Sequence, residues 1–307
     1  MLTFIIRRLL LIIPVGLGVT FVVFSMIHLT PGDPARIIAG EAAGQEVVES
    51  IRENLGLNDP FLVQYGRYLY NLVRGDMGTS IRTQRPVFNE IFDTRFAITY
   101  QLALSATSLS VLMGMIIGII QATNKNSFVD TGLMLITLAG MSIPVFWLGI
   151  LLINFFAVGL QILPVAGWGS FGQAVMPTLA LAIGASAIVA RMTRASLIEA
   201  LDQDYVRTAY AKGISEARVV YKHALKNALI PVITVVGLQF GGLLAGAILT
   251  ETIFAINGMG RLVVDAIRNH DFPVAQGVIL IFSMSFIVVN CIVDLLYRFV
   301  NKRIDVS

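Results

Sequence analysis

The sequence predicts an all-α polytopic membrane protein with six transmembrane helices, and three observations predict it. Of 307 residues, 56% are hydrophobic and 13% charged, about half the charge of an ordinary soluble domain. Mean hydropathy is +0.79. Six stretches, near 9–30, 99–122, 131–158, 177–198, 229–254 and 276–298, each reach the roughly 20 apolar residues that cross a bilayer.

Span one follows Arg7 and Arg8 and resembles a secretory signal in outline. Its apolar run is too long for one and no small-residue cleavage site follows, so residues 1–30 are expected to stay as tail and first span. Residues 31–98 are polar and punctuated by Gly56, Pro60, Gly75, Gly78 and Pro86. Leu55, Leu57, Phe61, Tyr65, Tyr68 and Leu69 give this segment apolar groups to bury. A folded helical insertion outside the bilayer is expected there, followed by a core domain at 99–307 with spans two to six.

The net charge of +3 is small, and in a membrane protein its distribution matters more. Arg7, Arg8, Lys125, the cations around residues 191–226, and Arg298, Lys302 and Arg303 all fall on one side if the chain crosses six times. That side is expected to be cytoplasmic, with both termini and the segment 199–228 on it. Segment 31–98 also carries arginines, but long loops translocate largely regardless of charge. Cys291 is the one cysteine, so the chain has no internal disulfide.

The least oily part of the core is YVRTAYAKGISEARVVYKHALKNALIPV, Tyr205 to Val232. Two helices joined at Gly213 fit it. In the first, Leu201, Tyr205 and Ala209 recur every four residues and should share a face. Gly213 suits the left-handed position after a helix end. Ser215 is placed to cap the next helix, with Glu216 in its first turn. There Arg218, Lys222 and Lys226 take one face and Val220, Ala224 and Ala228 another. A basic amphipathic connector lying on anionic lipid has the same stripe. The small residues Thr208, Ala209, Ala211 and Gly213 point instead to close approach by a partner protein, since lipid gains nothing from them.

This stretch, from Asp204 through Pro231, resembles the EAA loop of ABC importer permeases in its dipeptide, oligopeptide and nickel variant, which includes glutathione importers. The similarity runs through L-T-P-G-D-P-A-R (29–36), G-D-M-G-T-S (75–80), S-I-P-V-F-W-L-G (142–149), A-R-M-T-R-A-S (190–196), G-L-Q-F-G (237–241) and D-F-P-V-A-Q-G (271–277). Arg207-Thr208-Ala209 departs from the general E-A-A pattern in the manner of the peptide-importer variant. At the periphery, Asn257-Gly258 stands where the family often has Pro-Gly, and Asn301-Lys302-Arg303-Ile304 where it often ends in D/N-P-R-I.

The resemblance implies a type I ABC importer permease fold and a coupling helix docking on a cytoplasmic ATPase through Tyr205, Arg207, Thr208, Ala209, Ala211, Lys212, Gly213 and Ser215. It implies a second homologous permease as heterodimer partner, two ATPase subunits using ATP and Mg, an extracytoplasmic substrate-binding protein, and peptide substrates crossing by alternating access. The place implied is a bacterial or archaeal inner membrane. Glutathione and nickel complexes stay open as substrates.

No G-x-x-x-x-G-K-[ST] occurs, so the chain is expected to bind no nucleotide and to be no enzyme itself. A stand-alone secondary transporter would need inverted repeats and an intramembrane ion site, and an intramembrane enzyme would need a nucleophile and base at depth; the sequence offers neither. His28, His223 and His270 are too dispersed for one metal cluster, and no metal, other cofactor or nucleic-acid partner is expected.

Polar groups inside the spans mark the candidate pathway. Pro144 should free the carbonyl of Gly140 and kink span three beside Ser142. Gln239 in span five faces either the pathway or a helix interface, and the glycines around it suit packing. Asp294 and Arg298 are spaced to pair with each other. Glu251 is expected to reach water at the outer end of span five.

Overall fold

The computed structural model describes residues 2–29, 33–40, 43–54 and 56–300. Expectations resting on the side chains of Arg7, Arg8, His28, Leu55, Asp294, Arg298, Lys302 and Arg303 lie outside the described residues. The chain is helical. It runs α1 (Leu2–Leu29), α2 (Pro34–Ala39), α3 (Gln45–Asn54), α4 (Phe61–Val73), α5 (Val87–Phe92), α6 (Arg95–Thr123), α7 (Phe128–Ser142), α8 (Val145–Leu152), α9 (Phe171–Leu201), α10 (Asp204–Ala211), α11 (Glu216–Arg218), α12 (Leu225–Ile253), α13 (Met259–Arg268) and α14 (Phe272–Val300). Two π-helical turns, Ile153–Gly159 and Val219–Ala224, extend α8 and join α11 to α12.

Four described helical stretches are long and apolar enough to cross a membrane: Val87–Thr123, Phe171–Leu201, Glu216–Ile253 and Phe272–Val293. A fifth is reached if the pair Phe128–Ser142 and Val145–Gly159, bent by 98°, counts as one. Leu10–Met26 of α1 is a shorter apolar stretch.

The chain divides into two compact units. The first comprises Met1–Ile98 and Gly258–Ile287. Within it, Phe21 and Phe24 of α1 meet the rings of Phe61 and Tyr65 of α4, and Phe24 also meets Tyr68. The corner between α13 and α14 is tied to the loop before α5. There Asp271 accepts hydrogen bonds from the Ser80 hydroxyl and from the backbone N–H groups of Ile81 (3.1 Å) and Arg82 (3.4 Å). Gln276 of α14 donates its amide to the Val23 carbonyl of α1 at 2.9 Å.

The second unit comprises Thr99–Asn257 and Val288–Ser307. Its hub is α9, packed against α7, α8 and α12. Its buried face is mostly small, with Ala180, Ala182, Ala185, Ala187 and Ala190 among its residues. Small residues let backbones approach closely where no hydrophobic force drives helices together. Against them α6 sets Gly114 and Gly118: a Cβ at Gly118 would lie 2.6 Å from both the Ala190 carbonyl oxygen and the Thr193 Cβ. Ser170 and Gln173 form a capping box at the start of α9, satisfying donors that a helix end leaves free.

Two expectations fail in this unit. Pro144 does not kink a continuous span three. Helix α7 stops at Ser142, Ile143 is extended (φ −81°, ψ 120°), and Pro144 begins α8 as its N-cap. A proline also pushes the residue before it out of the helical region, and here that effect converts a kink into a 98° break. Glu251 does not reach water: it is fully buried and accepts the Thr99 hydroxyl at 2.6 Å.

Candidate functional site

Helix α9 ends at Leu201, where Asp202 caps it, and α10 starts afresh at Asp204. Leu201 is therefore not on the same helix as Tyr205 and Ala209, contrary to the four-residue spacing. The buried residues of α10 are Val206 and Ala209, and Tyr205 turns outward.

The turn after α10 is a full Schellman motif. Lys212 occupies the C-cap and Gly213 follows at φ +75°. Gly213 N–H donates to the Tyr210 carbonyl at 2.9 Å and Ile214 N–H to the Ala209 carbonyl at 3.3 Å, which together satisfy orphan carbonyls of the helix end. Ile214 then packs against the apolar cluster that includes Ala209. Ser215 stands at the N-cap position of α11, as expected, but its side chain makes no capping bond. The carbonyl of Ser215 instead accepts from Val219 at 3.0 Å.

Beneath the turn lies one apolar cluster. It takes Ala122 from α6, Leu197 and Ala200 from α9, Val206 and Ala209 from α10, Val219, Val220 and Ala224 from the π turn, and Ala228 from α12. Arg207, Thr208, Ala211, Lys212, Gly213 and Ser215 are all exposed above it, as are Arg218, Lys222 and Lys226. Ala209 alone among the eight predicted coupling residues is buried, as the floor of the turn. Arg207 and Asp204 approach at 3.6 Å, but both are largely exposed, so the pair adds little rigidity. The platform is held by packing. Because close-packed interiors transmit strain, displacement of α10 bears on the ends of α6, α9 and α12 together.

At the start of α10, a cleft of about 440 Å³ opens between the end of α9 and the start of α12. Ser196, Glu199, Gln203, Tyr205 and Asn227 supply its polar lining.

One ion pair near this end of the bundle was missed by sequence reasoning. Arg194 of α9 grips Asp130 of α7 through Nε to Oδ1 (2.8 Å) and Nη2 to Oδ2 (2.7 Å). Asp130 also accepts Asn126 N–H at 3.0 Å, and Ser127 caps its helix. Two arginines three apart inside a nominal span, in A-R-M-T-R, were the available signal.

The pathway candidates are dispersed. Ser142 is exposed and its hydroxyl donates back to the Leu138 carbonyl at 2.9 Å. Pro144 is exposed at the break. Gln239, half-buried on α12, donates its amide to the Ala185 carbonyl of α9 at 3.3 Å. That geometry is the helix-interface alternative within this chain.

The family described as "Binding-protein-dependent transport system inner membrane component" matches residues 114–306. Its companion, "Binding-prot-dependent transport system membrane comp, N-term", matches residues 1–108. The dipeptide transport system permease protein DppB of Alkalihalophilus pseudofirmus is 44% identical over 332 positions, covering 99% of each chain. The glutathione transport system permease protein GsiC of Escherichia coli K12 is 46% identical over 304 positions, again covering 99% of each. In fold, the chain resembles the inward-facing MetNI methionine ABC transporter, with a TM-score of 0.60 at 17% identity over 67% of this chain and 94% of that one. An amino acid ABC transporter gives a TM-score of 0.55 at 16% identity over 76% and 98%.

Proposed function

The chain belongs to the binding-protein-dependent transport system inner membrane component family and is a permease of the dipeptide and glutathione ABC importer kind, and on that premise we propose that it carries short peptides into the cytoplasm by alternating access. It is a multi-pass inner-membrane protein, and permeases of this kind are not themselves enzymes. In the proposed assembly it pairs with a second, homologous permease. Two separate ATPases use ATP and Mg below it, and a binding protein delivers substrate from outside. The chain's six spans in this reading are α1, α6, the bent pair α7–α8, α9, α12 and α14. The Lys and Arg distribution supports a cytoplasmic position for both termini and α10.

The observation that carries this reading is the Gly213 turn, exposed and seated on a cluster fed by α6, α9, α10 and α12. A partner that closes on ATP and pulls α10 would move three span ends at once. The test is Gly213→Leu. A Cβ there meets nothing within 4 Å of this chain, so the leucine would act through its positive φ and its bulk toward a partner. We expect normal membrane insertion with loss of co-purifying ATPase. Gly213→Asn, which tolerates that φ, should lose less. Normal ATPase recovery and transport with Gly213→Leu would remove the coupling role.

Glutathione, itself a tripeptide, is the second substrate reading, supported by the relatives at 46% identity. Calorimetry of the partner binding protein with a dipeptide and with glutathione separates the two.

A further inference from the structure

Helix α4 carries three distinct faces. At about 100° per residue, Phe61, Tyr65 and Tyr68 fall together and meet Phe21 and Phe24 of α1. Gln64, Arg67 and Asn71 form a polar face. Between them lies a third face, Leu62, Leu69 and Val73, flanked by Val63 and Tyr70. Leu62 is 72% exposed and Val73 87%. A small domain standing in water would turn such residues inward; none of α4 is buried.

The depth of the contact says what covers them. Span one, near 9–30, has its centre between Val19 and Thr20. Phe21 and Phe24 lie about one and a half and four and a half residues beyond it, roughly 2–7 Å at the helical rise. The hydrocarbon half-thickness is about 15 Å. The Tyr65 hydroxyl reaches deeper still, donating to the Leu17 carbonyl at 3.0 Å and lying 2.9 Å from the Thr20 hydroxyl. A phenol at that depth needs such partners. Leu17 and Phe21, which touch α4, themselves keep 47% and 43% of their surface exposed, so the apolar surface of the span continues onto α4. At the C-terminal end of α4, the Arg74 guanidinium lies 4.1 Å over the Tyr70 ring, a cation at the edge of an apolar face in the manner of an interfacial helix.

We propose that α4 is not part of a water-borne cap but lies in the outer leaflet against α1, with Leu62, Leu69 and Val73 in lipid acyl chains and Gln64, Arg67 and Asn71 toward the headgroups. This rests on the reading that α1 spans the membrane with its C-terminal end outside. It makes the segment between spans one and two a membrane anchor for the extracytoplasmic side.

Nitroxide accessibility in the assembled transporter in lipid nanodiscs tests it. With Cys291→Ser as background, labels go one at a time on Leu62→Cys, Val73→Cys, Glu46→Cys as the water reference, and Val22→Cys on the exposed side of α1. Collision rates are measured with oxygen and with a water-soluble nickel chelate. The expected oxygen-to-nickel ratio at Leu62 and Val73 is several-fold above that at Glu46 and close to that at Val22. Nickel access at Leu62 and Val73 equal to Glu46 would overturn the proposal. So would immobile labels shielded from both reagents, which would mean a protein partner covers the face. Nickel access at Val22 too would overturn the spanning of α1 and this inference together, and only that result implicates the premise.

Discussion

Arg194 and Asp130 form a two-pronged ion pair, 2.8 and 2.7 Å long, between α9 and α7 seven residues before α9 ends at Leu201. The carboxylate is almost wholly buried while the guanidinium keeps some access to water. The pair therefore fixes the start of α7 to the helix that leads directly into α10.

Removing one member of such a pair strands the other, so Asp130→Ala should cost about 3 kcal/mol, the low end for a buried pair because Arg194 can still find water. The double variant Asp130→Ala/Arg194→Leu should cost less than the sum of the two single changes, since it strands no charge. Thermal melting of the purified complex reads both. Additive effects would mean that the pair does not couple α7 to α9.

Gly118→Ala should destabilise by about 1–3 kcal/mol, as overpacking does. Its new methyl would meet the Ala190 carbonyl at 2.6 Å, and a backbone oxygen does not swing aside as a side chain can. Gly132→Ala on α7 is the control, with nothing within 4 Å of its Cβ. It should be neutral or slightly stabilising, by up to about 1 kcal/mol of helix propensity. Equal melting temperatures for the two variants would contradict the close approach of α6 to α9.

What could be read from the sequence was what depends on near neighbours. The left-handed turn at Gly213 needs only its own backbone and the helix before it. The buried set Val220, Ala224 and Ala228 needs only a helical period, and a π turn in the middle did not disturb it. What could not be read depended on distant partners or on two local effects acting together. Glu251 is buried beside Thr99, 152 positions away, which donates to it. Asp130 and Arg194 are 64 positions apart. The break at Pro144 came from Ile143 turning extended, an effect separate from the hydrogen bond a proline removes. Spacing placed Leu201 with Tyr205, but the chain stops and restarts its helix between them.

Topology has a direct test. Ser50 of α3 is exposed, so Ser50→Cys in a Cys291→Ser background should react with a membrane-impermeant thiol reagent added to intact cells, or to spheroplasts where an outer membrane intervenes. Lipid insertion of α4 leaves this expectation unchanged. Labelling that requires lysis of the inner membrane would place 31–98 inside and reverse the direction of transport proposed above.

Gln239→Leu separates pathway from packing. The hydrogen bond that the Gln239 amide N–H donates to the Ala185 carbonyl is long, at 3.3 Å, and the side chain is only half-buried. Hydrogen bonds between membrane helices contribute about 0.6 kcal/mol on average, so losing this one should shift the melting temperature of the complex little. A peptide in transit must leave water, and an unpaired amide in hydrocarbon costs several kcal/mol. A half-exposed neutral amide can offer a transient partner without the grip of a charge, which would hold one peptide terminus and repel the other. We therefore expect Gln239→Leu to lower peptide uptake severalfold in reconstituted vesicles while assembly, melting temperature and basal ATP hydrolysis stay close to those of the parent. A complex that melts several degrees lower or sheds its partner permease would assign Gln239 to the α9–α12 interface. Unchanged uptake would remove it from the pathway.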